Sequence, residues 1–368
     1  MKKVSRETAA VSELVCVGID IGDRWSHWCG LSSEGEVAGR GRVRTDLEAM
    51  SEQGRKWSGA RVAIENGTHS GWVSRALSEC GCEVVVANPS RWRGTAHNSK
   101  NDANDAEALA RVVRVDPQLL FPLRHRGKAE QQDLAVVRVR AQLVKARAQL
   151  VNTARGVVKS LGGRLGGADA EYFPARTWGQ VPAGLRAALG PLYELLVALN
   201  EQIRKLNERI EQLSRERYPE TTRLRSVPGI GPVTALTYVL TLADPHRFSS
   251  SRQTGAYLGL RPRQRQSGER DPELGIAKNG DGYLRSLLVE CAHYVLSRGP
   301  DSALKRWGLA LAGNGRRPKR RALVAVARKL AVLLHTLWVS GKSFRPFPEE
   351  TVDAEVRAHR SLRAAAAI

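Results

Sequence analysis

The chain has 368 residues, and its 58 Lys and Arg against 37 Asp and Glu give a net charge of +21, which favours a polyanionic partner. The longest apolar stretch, 322–339, is interrupted by Arg328, Lys329 and His335, and residues 1–13 lack the apolar core of a signal peptide, so we expect no membrane association and a cytoplasmic, nucleoid-associated protein. Five scattered cysteines, an odd number, exclude a disulfide framework and indicate reduced core residues.

Residues 14–126, after a tail at 1–13, carry the pattern of an α/β domain. Apolar runs predict strands at 14–21, 25–31, 37–43, 61–64 and 83–87, and periodic patterns predict helices at 47–56, 70–80 and 102–115. Short turns containing glycine join the first three strands, which indicates an antiparallel meander. A helix separates the last two strands, as in a parallel crossover. By analogy of pattern, this is the arrangement of a RuvC-like or RNase H-like domain.

Four acidic residues occupy positions suited to metal ligands of a nuclease. Asp20 and Glu65 end predicted strands, while Asp102 and Asp105 lie three apart at the start of a predicted helix. Acids at strand ends face the crevice at the carboxyl edge of an open α/β sheet, and residues three apart share a helix face. Four converging like charges call for a hard cation, Mg²⁺ or Mn²⁺. Each acid alone would be an ordinary element end, but their order predicts a two-metal phosphodiester site.

Residues 127–217 predict a connector of two long helices around a Gly- and Pro-rich tip at 162–184. The first helix is strongly basic. The second has an apolar seam whose spacings alternate between four and three, which is typical of a coiled coil. The pair either folds back within one chain or joins another protomer, so a spacer and an oligomerisation role both stay open. The seam consists of Leu192, Leu196, Leu199, Ile203, Leu206, Ile210 and Leu213.

Residues 218–344 predict a mainly α-helical domain that begins with a helix-hairpin-helix-like segment. An apolar helix end, the turn Gly229-Ile230-Gly231 and a new helix start follow one another. The glycines would let the backbone approach a phosphate, which the N–H groups of the next helix would receive. A plain helix turn is the alternative. Further along, a basic cluster in a loop-like stretch either contacts phosphates or is merely solvated. It consists of Arg316, Arg317, Lys319, Arg320 and Arg321.

Ser267 follows Arg261, Arg263 and Arg265, so its hydroxyl could approach a phosphate that these arginines clamp. A serine hydroxyl is a poor nucleophile until its proton is removed or its alkoxide is stabilised, and Lys278, Arg265 and a metal ion are the candidates for that help. On chemistry alone, an ordinary serine in a basic loop is the simpler interpretation. The candidate phosphate contacts of this domain are Gly229, Gly231, Arg261, Arg263, Arg265, Lys278, Arg285 and the basic cluster.

Seven short motifs occur in a fixed order over nearly the full chain. In that order they resemble the DEDD transposases of insertion sequences of the 110 type, relatives of Piv-like DNA invertases and bridge-RNA-guided recombinases. Ala277 departs from the pattern, since the family often has serine there. The motifs are Gly18-Ile19-Asp20-Ile21, Ile64-Glu65, Lys100-Asn101-Asp102-Ala103-Asn104-Asp105-Ala106, Pro228-Gly229-Ile230-Gly231, Gly255-Ala256-Tyr257-Leu258-Gly259-Leu260, Gln266-Ser267-Gly268 and Lys278-x-Gly280-x-x-x-Leu284-Arg285.

The resemblance implies that Asp20, Glu65, Asp102 and Asp105 bind metal and that Ser267 is the nucleophile that joins covalently to DNA. It also implies a structured bridge RNA that pairs with donor and target DNA. A homo-oligomer, a dimer or tetramer, would combine the two domains of different protomers in each active site. We therefore expect a Mg²⁺-dependent DNA recombinase, with tails of unassigned role at 1–13 and 345–368.

Three other functions stay open. A RuvC-type structure-specific endonuclease would use metal-activated water and leave Ser267 incidental. An actin-like or sugar-kinase ATPase also opens with Gly18-Ile19-Asp20-Ile21-Gly22, although Asp23-Arg24-Trp25 then replaces the small hydroxyl residues that hold phosphate in those folds. A non-catalytic nucleic-acid-binding protein would leave the ordered acids unexplained. A covalent protein–DNA adduct would separate the recombinase from the nuclease.

Overall fold

The chain divides into two units, Met1–Lys128 and Ala129–Ile368. The computed structural model describes residues 14–89, 91–92, 102–263, 274–313 and 316–348, without the side chains of residues 316–318. The predicted division at 14–126, 127–217 and 218–344 stays a prediction.

A five-stranded mixed sheet forms the first unit. Neighbours β1, β2 and β3 pair antiparallel, and β4 pairs parallel with both β1 and β5, giving the order β3-β2-β1-β4-β5. The predicted meander and parallel crossover are confirmed. The strands are β1 (Cys16–Asp20), β2 (Trp25–Leu31), β3 (Val37–Arg44), β4 (Arg61–Glu65) and β5 (Glu83–Ala87).

Helices cover both faces of this sheet. On one face, Met50 and Leu77 of the first two helices belong to a buried cluster with Ile19 of β1. On the other face, Leu109 of the third helix is buried with Cys16 of β1. The sheet therefore lies between helical layers, an arrangement compatible with a RuvC-like fold. The helices are α1 (Leu47–Lys56), α2 (Ser70–Glu79) and α3 (Asp102–Val115).

Gly18 allows α3 to approach β1 closely. A Cβ atom added to Gly18 would lie 2.0 Å from the carbonyl O of Ala106 and 2.5 Å from the amide N of Ala110. Both are backbone atoms of α3, so no side-chain rotation could relieve the overlap. Because strand side chains alternate between faces, Asp20 lies on the same face of β1 as Gly18. The close approach therefore brings Asp20 towards α3.

Gly18→Ala is expected to destabilise the first unit by at least the ~1–3 kcal/mol typical of overpacking, because backbone must move. Urea unfolding of the purified variant measures this loss. Gly156→Ala is the matched control: it lies in helix Lys128–Ser160, a Cβ there would meet nothing within 4 Å, and we expect stabilisation by up to ~1 kcal/mol. Equal stability of Gly18→Ala and the parent would contradict the close packing.

The described part of the second unit is built from helices, which confirms the mainly α-helical prediction. The short helix α5 lies within the tip that was predicted to be irregular. The helices are α4 (Lys128–Ser160), α5 (Phe173–Thr177), α6 (Ala183–Glu216), α7 (Glu220–Leu224), α8 (Pro232–Leu242), α9 (Arg252–Tyr257), α10 (Gly282–Ser297), α11 (Ala303–Ala312) and α12 (Arg316–Ser340).

The long helices α4 and α6 run side by side in opposite directions. Arg140 Nε donates to Asn207 Oδ1 at 3.0 Å, and Arg147 Nη1 donates to Asn200 Oδ1 at 2.8 Å. The later residue of α4 therefore pairs with the earlier residue of α6, as in two antiparallel helices. The fold-back within one chain is thus the arrangement observed, while a coiled coil and an oligomerisation role stay predictions. In the predicted seam, Leu196, Ile203, Ile210 and Leu213 are buried, and Leu192, Leu199 and Leu206 are partly buried.

The core of the second unit surrounds α8 and α12. Tyr238 of α8 is fully buried and its Oη donates to the carbonyl O of Ala331 at 2.6 Å. By length and composition alone, Lys319–Ser340 is apolar enough to cross a membrane. Val326 and Leu330 of this helix are nevertheless fully buried in the protein core. The helix that contains the interrupted apolar stretch 322–339 is therefore a core helix of the second unit.

Candidate functional site

A cleft of about 320 Å³ opens where β1 and β4 end. Asp20 is the last residue of β1 and Glu65 the last residue of β4, and the register pairs Ile19 with Ile64 just before them. These parallel strands are neighbours, so their carboxyl ends bring both acids to one edge of the sheet. Both side chains are partly buried and line the cleft, as the sequence predicts for strand-end acids.

The same two acids lie on the face of the sheet that α3 covers. Gly18 and Ala63, each two residues before an acid, pack on the α3 side. Side chains two apart on a strand share a face. Asp102 and Asp105 both lie in the first turn of α3, where the unpaired N–H groups of the helix favour negative charge. The fold thus directs all four predicted acids towards one end of the sheet.

The four carboxylates interact electrostatically. The pKa of Asp20 is raised to about 6, first by burial and then by the negative charges of Asp102, Asp105 and Glu65, while His27 opposes the rise. Negative charges that raise the pKa of Asp20 are close enough to repel its carboxylate. A bound cation would offset this repulsion.

Oxygen donors of this kind suit Mg²⁺ or Mn²⁺ more than softer ions. Among the residues that the structure describes, no three His, Cys, Asp or Glu side chains are gathered into a ready-made metal site. The side chain of Asp102 is 70% exposed. The acids therefore fit a divalent ion, because they offer oxygen donors, lie on one face of the sheet and repel one another without a cation. Their role as metal ligands is a proposal.

Three polar residues near the acids, namely His27, His69 and Asp23, were not predicted as site residues from the sequence. His27 on β2 is in register with Asp20, and its Nε2 lies 4.0 Å from Oδ2 of Asp102. His69, which lines the cleft, has its Nε2 3.7 Å from Oδ1 of Asp23. The proximity of His27 to Asp20 comes from strand pairing, which motif spacing does not reveal.

Ser267 and Arg265 lie outside the described residues. The described residues before and after this segment are hydrogen-bonded to each other, since the amide N of Arg263 donates to the carbonyl O of Gly275 at 3.0 Å. Arg261 and Arg263 are both exposed at this junction. This hydrogen bond therefore connects the two ends of the segment that carries Ser267. Two of the predicted phosphate contacts, Arg261 and Arg263, lie beside it.

Lys278 and Arg285 have different surroundings. Lys278 is exposed and has a left-handed φ of 59°. Arg285 Nη1 donates to the carbonyl oxygens of Leu258 and Asn279, each at 2.9 Å, so its guanidinium fastens a turn. A Cβ on Gly259 would lie 2.3 Å from the same Asn279 oxygen. Of the two cations, Lys278 has the more open position for a phosphate.

The glycines of the predicted hairpin lie between α7 and α8. Gly229 has a φ of +88°, and a Cβ there would lie 2.7 Å from the ring of Tyr294. Gly231 is the N-terminal cap of α8, with open space around it. Gly229 is thus required by the turn and its packing, whereas Gly231 leaves room for an approaching group. Phosphate contact and helix-hairpin-helix identity stay predictions.

The basic cluster lies at the start of α12, and the loop-like interpretation was wrong. The stretch includes Pro318, and proline is tolerated in the first turn of a helix, where its missing N–H has no partner to lose. Arg and Lys also have good helix propensity. Among the members whose side chains are described, Lys319, Arg320 and Arg321 are exposed.

Two family models match this chain. The model described as Transposase IS116/IS110/IS902 family matches residues 221–308, and a DEDD-type model for IS110 proteins, described as Transposase, matches residues 17–162. The second range contains all four acids and the sheet apart from Cys16, the first residue of β1. The first contains the glycine turn and Ser267.

Two known proteins are similar to this chain over most of its length, and a third is similar to part of it. The transposase for insertion sequence element IS1111A of Coxiella burnetii is 29% identical over 348 residues, 91% of this chain and 93% of the relative. A probable family 20 transposase of Pseudomonas aeruginosa is 33% identical over 297 residues, 77% of this chain and 86% of the relative. The pilin gene-inverting protein of Moraxella bovis is 27% identical over 149 residues, 39% of this chain and 46% of the relative.

Proposed function

This chain belongs to the IS116/IS110/IS902 family of DNA transposases, and from that premise we propose that it cuts and rejoins DNA strands through a covalent bond to Ser267. One observation carries the proposal: Asp20 and Glu65 end neighbouring parallel strands on the face that α3 covers, and Asp102 and Asp105 lie in the first turn of α3. Burial and then the negative charges of the other three acids raise the pKa of Asp20. Such a set of carboxylates suits phosphodiester chemistry. A DNA substrate follows from the family.

The four acids are the proposed ligands of Mg²⁺ or Mn²⁺. Held by these acids, such an ion would supply the positive charge that polarises a phosphodiester and stabilises negative charge on the reacting oxygens. Nε2 of His27 lies 4.0 Å from Oδ2 of Asp102. A partner of this kind orients a carboxylate from outside the ion's own shell. We therefore assign His27 a positioning role.

Ser267 is the proposed nucleophile. Its Oγ forms a bond to phosphorus and gives up its proton, while the bond from phosphorus to the leaving strand's oxygen breaks and that oxygen takes up a proton. Attack by the hydroxyl of another strand end reverses these changes, rejoins DNA and releases Ser267. The phosphodiester energy is conserved, so no ATP is needed. Lys278 and Arg265 are the proposed cationic groups that stabilise the serine oxygen.

The proposed partners of this protein are donor DNA, target DNA and a structured bridge RNA. The protein itself is proposed to act as a homo-oligomer in the cytoplasm, at the nucleoid. The net charge of +21 supports binding of several polyanionic strands. Base pairing with the RNA would select the sequences, while basic side chains hold the backbones, as in other RNA-guided systems. The proposed backbone contacts are Gly229, Gly231, Arg261, Arg263, Arg265, Lys278, Arg285, Arg316, Arg317, Lys319, Arg320 and Arg321.

Removing the divalent ion tests the proposed chemistry. The purified protein is incubated with labelled DNA that carries the element's ends and with RNA transcribed from the DNA flanking the gene. We expect cut and rejoined strands in Mg²⁺ and none in EDTA, with recovery when Mg²⁺ is restored, because the acids cannot stabilise phosphoryl charge by themselves. DNA binding is measured in parallel. Recombination at full rate in EDTA would overturn the metal assignment.

Charge removal from the basic cluster tests its contact with phosphates. Positive side chains at a helix N-terminus are unfavourable for the helix itself, so a phosphate would relieve them. Replacing Arg316, Arg317, Arg320 and Arg321 with Gln should weaken binding of all DNA sequences alike and flatten log K against log salt by about 0.9 per lost contact. The matched control replaces four cations of α6, namely Arg204, Lys205, Arg209 and Arg215. An unchanged slope in the α12 variant would indicate a merely solvated face.

A further inference from the structure

A groove of about 1430 Å³ lies in the second unit, between α11, α12 and the chain on both sides of the Ser267 segment. Its floor is apolar and includes Ile276, Trp307, Leu311 and Val332. Leu311 is 44% exposed, although burial of a leucine side chain would be favourable. The volume exceeds the ~300–1,000 Å³ usual for small-molecule pockets. The groove is therefore large enough for a peptide segment.

Cations surround this apolar floor. Arg252, Arg320, Arg328 and Lys329 all line the groove, and the described residues that line it include no acid. Lys329 Nζ lies 3.7 Å from the centroid of the Trp307 ring, which places one positive charge directly over the floor. An occupant that suits this surface carries apolar side chains for the floor and carboxylates for the rim.

The described chain runs along this groove to its own last described residue. Phe344 and Pro346 line the groove, and the carbonyl O of Pro346 accepts a hydrogen bond from the amide N of Ala303 at 2.9 Å. Pro348 lines it too. Residues 349–368 follow directly, so their first part starts at the groove. That part carries Glu349, Glu350, Asp353 and Glu355, together with Val352 and Val356.

We propose that residues 349–356 dock into this groove of their own chain, with Val352 and Val356 on the apolar floor and the four acids against the basic rim. The spacing of four between the valines would place them on one face of a helix, as in helix-in-groove recognition. A nucleic-acid backbone would match the rim but not the floor. The docking does not depend on the proposed recombinase activity, and it would set the segment in competition with phosphate for Arg320.

Photo-crosslinking of the full-length protein tests the docking. Thr336 is exposed and lines the groove, so p-benzoylphenylalanine is placed at this position, with a control at exposed Thr153 on α4. We expect Thr336 to crosslink to residues 349–356 of the same chain, as mapped by mass spectrometry, and Thr153 not to do so. Crosslinks between two copies, or none to this segment, would overturn the proposal.

A charge variant identifies which part of the segment docks. Replacing the four acids with Gln or Asn should lower the Thr336 crosslink yield about tenfold at low salt, since several rim pairs are lost together. The matched control neutralises Arg357, Arg360 and Arg363 of the same segment and should keep the yield. An equal yield in the acid variant would contradict the charge pairing. Loss of the crosslink in the arginine control alone would place a different part of the segment in the groove.

Discussion

Ser267→Ala is expected to abolish both DNA cleavage and the covalent protein–DNA adduct, by about three orders of magnitude or more, because the proposed nucleophile is removed. The adduct is detected by denaturing electrophoresis of a trapped reaction with labelled DNA, in which protein carries the label. The four acids and the basic surfaces remain, so DNA affinity measured in parallel should stay within about twofold of the parent. A loss of activity therefore could not be attributed to binding.

The prediction for Ser267→Ala has a control variant and an outcome that would contradict it. Ser286→Ala removes an exposed hydroxyl of α10 whose Oγ donates to the carbonyl O of Tyr283 at 2.7 Å, and it should leave the adduct unchanged. Ser267→Cys should keep weak adduct formation, with a preference for softer ions, since a thiolate can attack phosphorus. Robust cutting by Ser267→Ala, with no adduct in the parent, would mean that water attacks. The RuvC-type nuclease would then be the correct function.

The acid set could be predicted because its signals are local. Side chains along β1 point alternately to the two faces of the sheet, and Val17 and Ile19 are buried on one of them. This alternation places Asp20 on the other face. The spacing of Asp102 and Asp105 places both in the first turn of one helix. The sequence did not indicate that β4 is the parallel neighbour of β1, and the register of the two strands supplies this. Local pattern was thus sufficient to propose the acids, although not their exact separations.

The surroundings of the acids could not be predicted, because they depend on pairing between distant segments. His27 lies beside Asp20 through the register of β1 with β2, and the turn between the strands sets that register. Gly18 carries no sign in the sequence that backbone of α3 lies 2.0 Å from its missing Cβ. The basic cluster was expected in a loop-like stretch, but it lies at the start of α12, where the first turn of a helix tolerates Pro318. In each case a tertiary contact or a helix-end rule decided the outcome.

Neutralising single acids has the second largest expected effect. Asp20→Asn, Glu65→Gln, Asp102→Asn and Asp105→Asn should each lower strand cleavage by about 10²–10³-fold, since each weakens a charge-stabilising ion worth several kcal/mol. DNA binding should change little because the basic surface is untouched. Glu48→Gln, an exposed acid in the first turn of α1, is the matched control and should retain full activity.

The same variants separate a metal role from a structural role through protein stability. Burial, followed by the charges of Asp102, Asp105 and Glu65, raises the pKa of Asp20. In EDTA at neutral pH, the removal of one negative charge should therefore stabilise the first unit or leave it unchanged. Mg²⁺ at about five times its dissociation constant should stabilise the parent and Glu48→Gln by about 1 kcal/mol, and the four acid variants by clearly less. Thermal unfolding with and without Mg²⁺ measures both effects. Acid variants that lose stability in EDTA, yet gain as much from Mg²⁺ as the parent does, would show that these carboxylates support the fold and leave the ion to other residues.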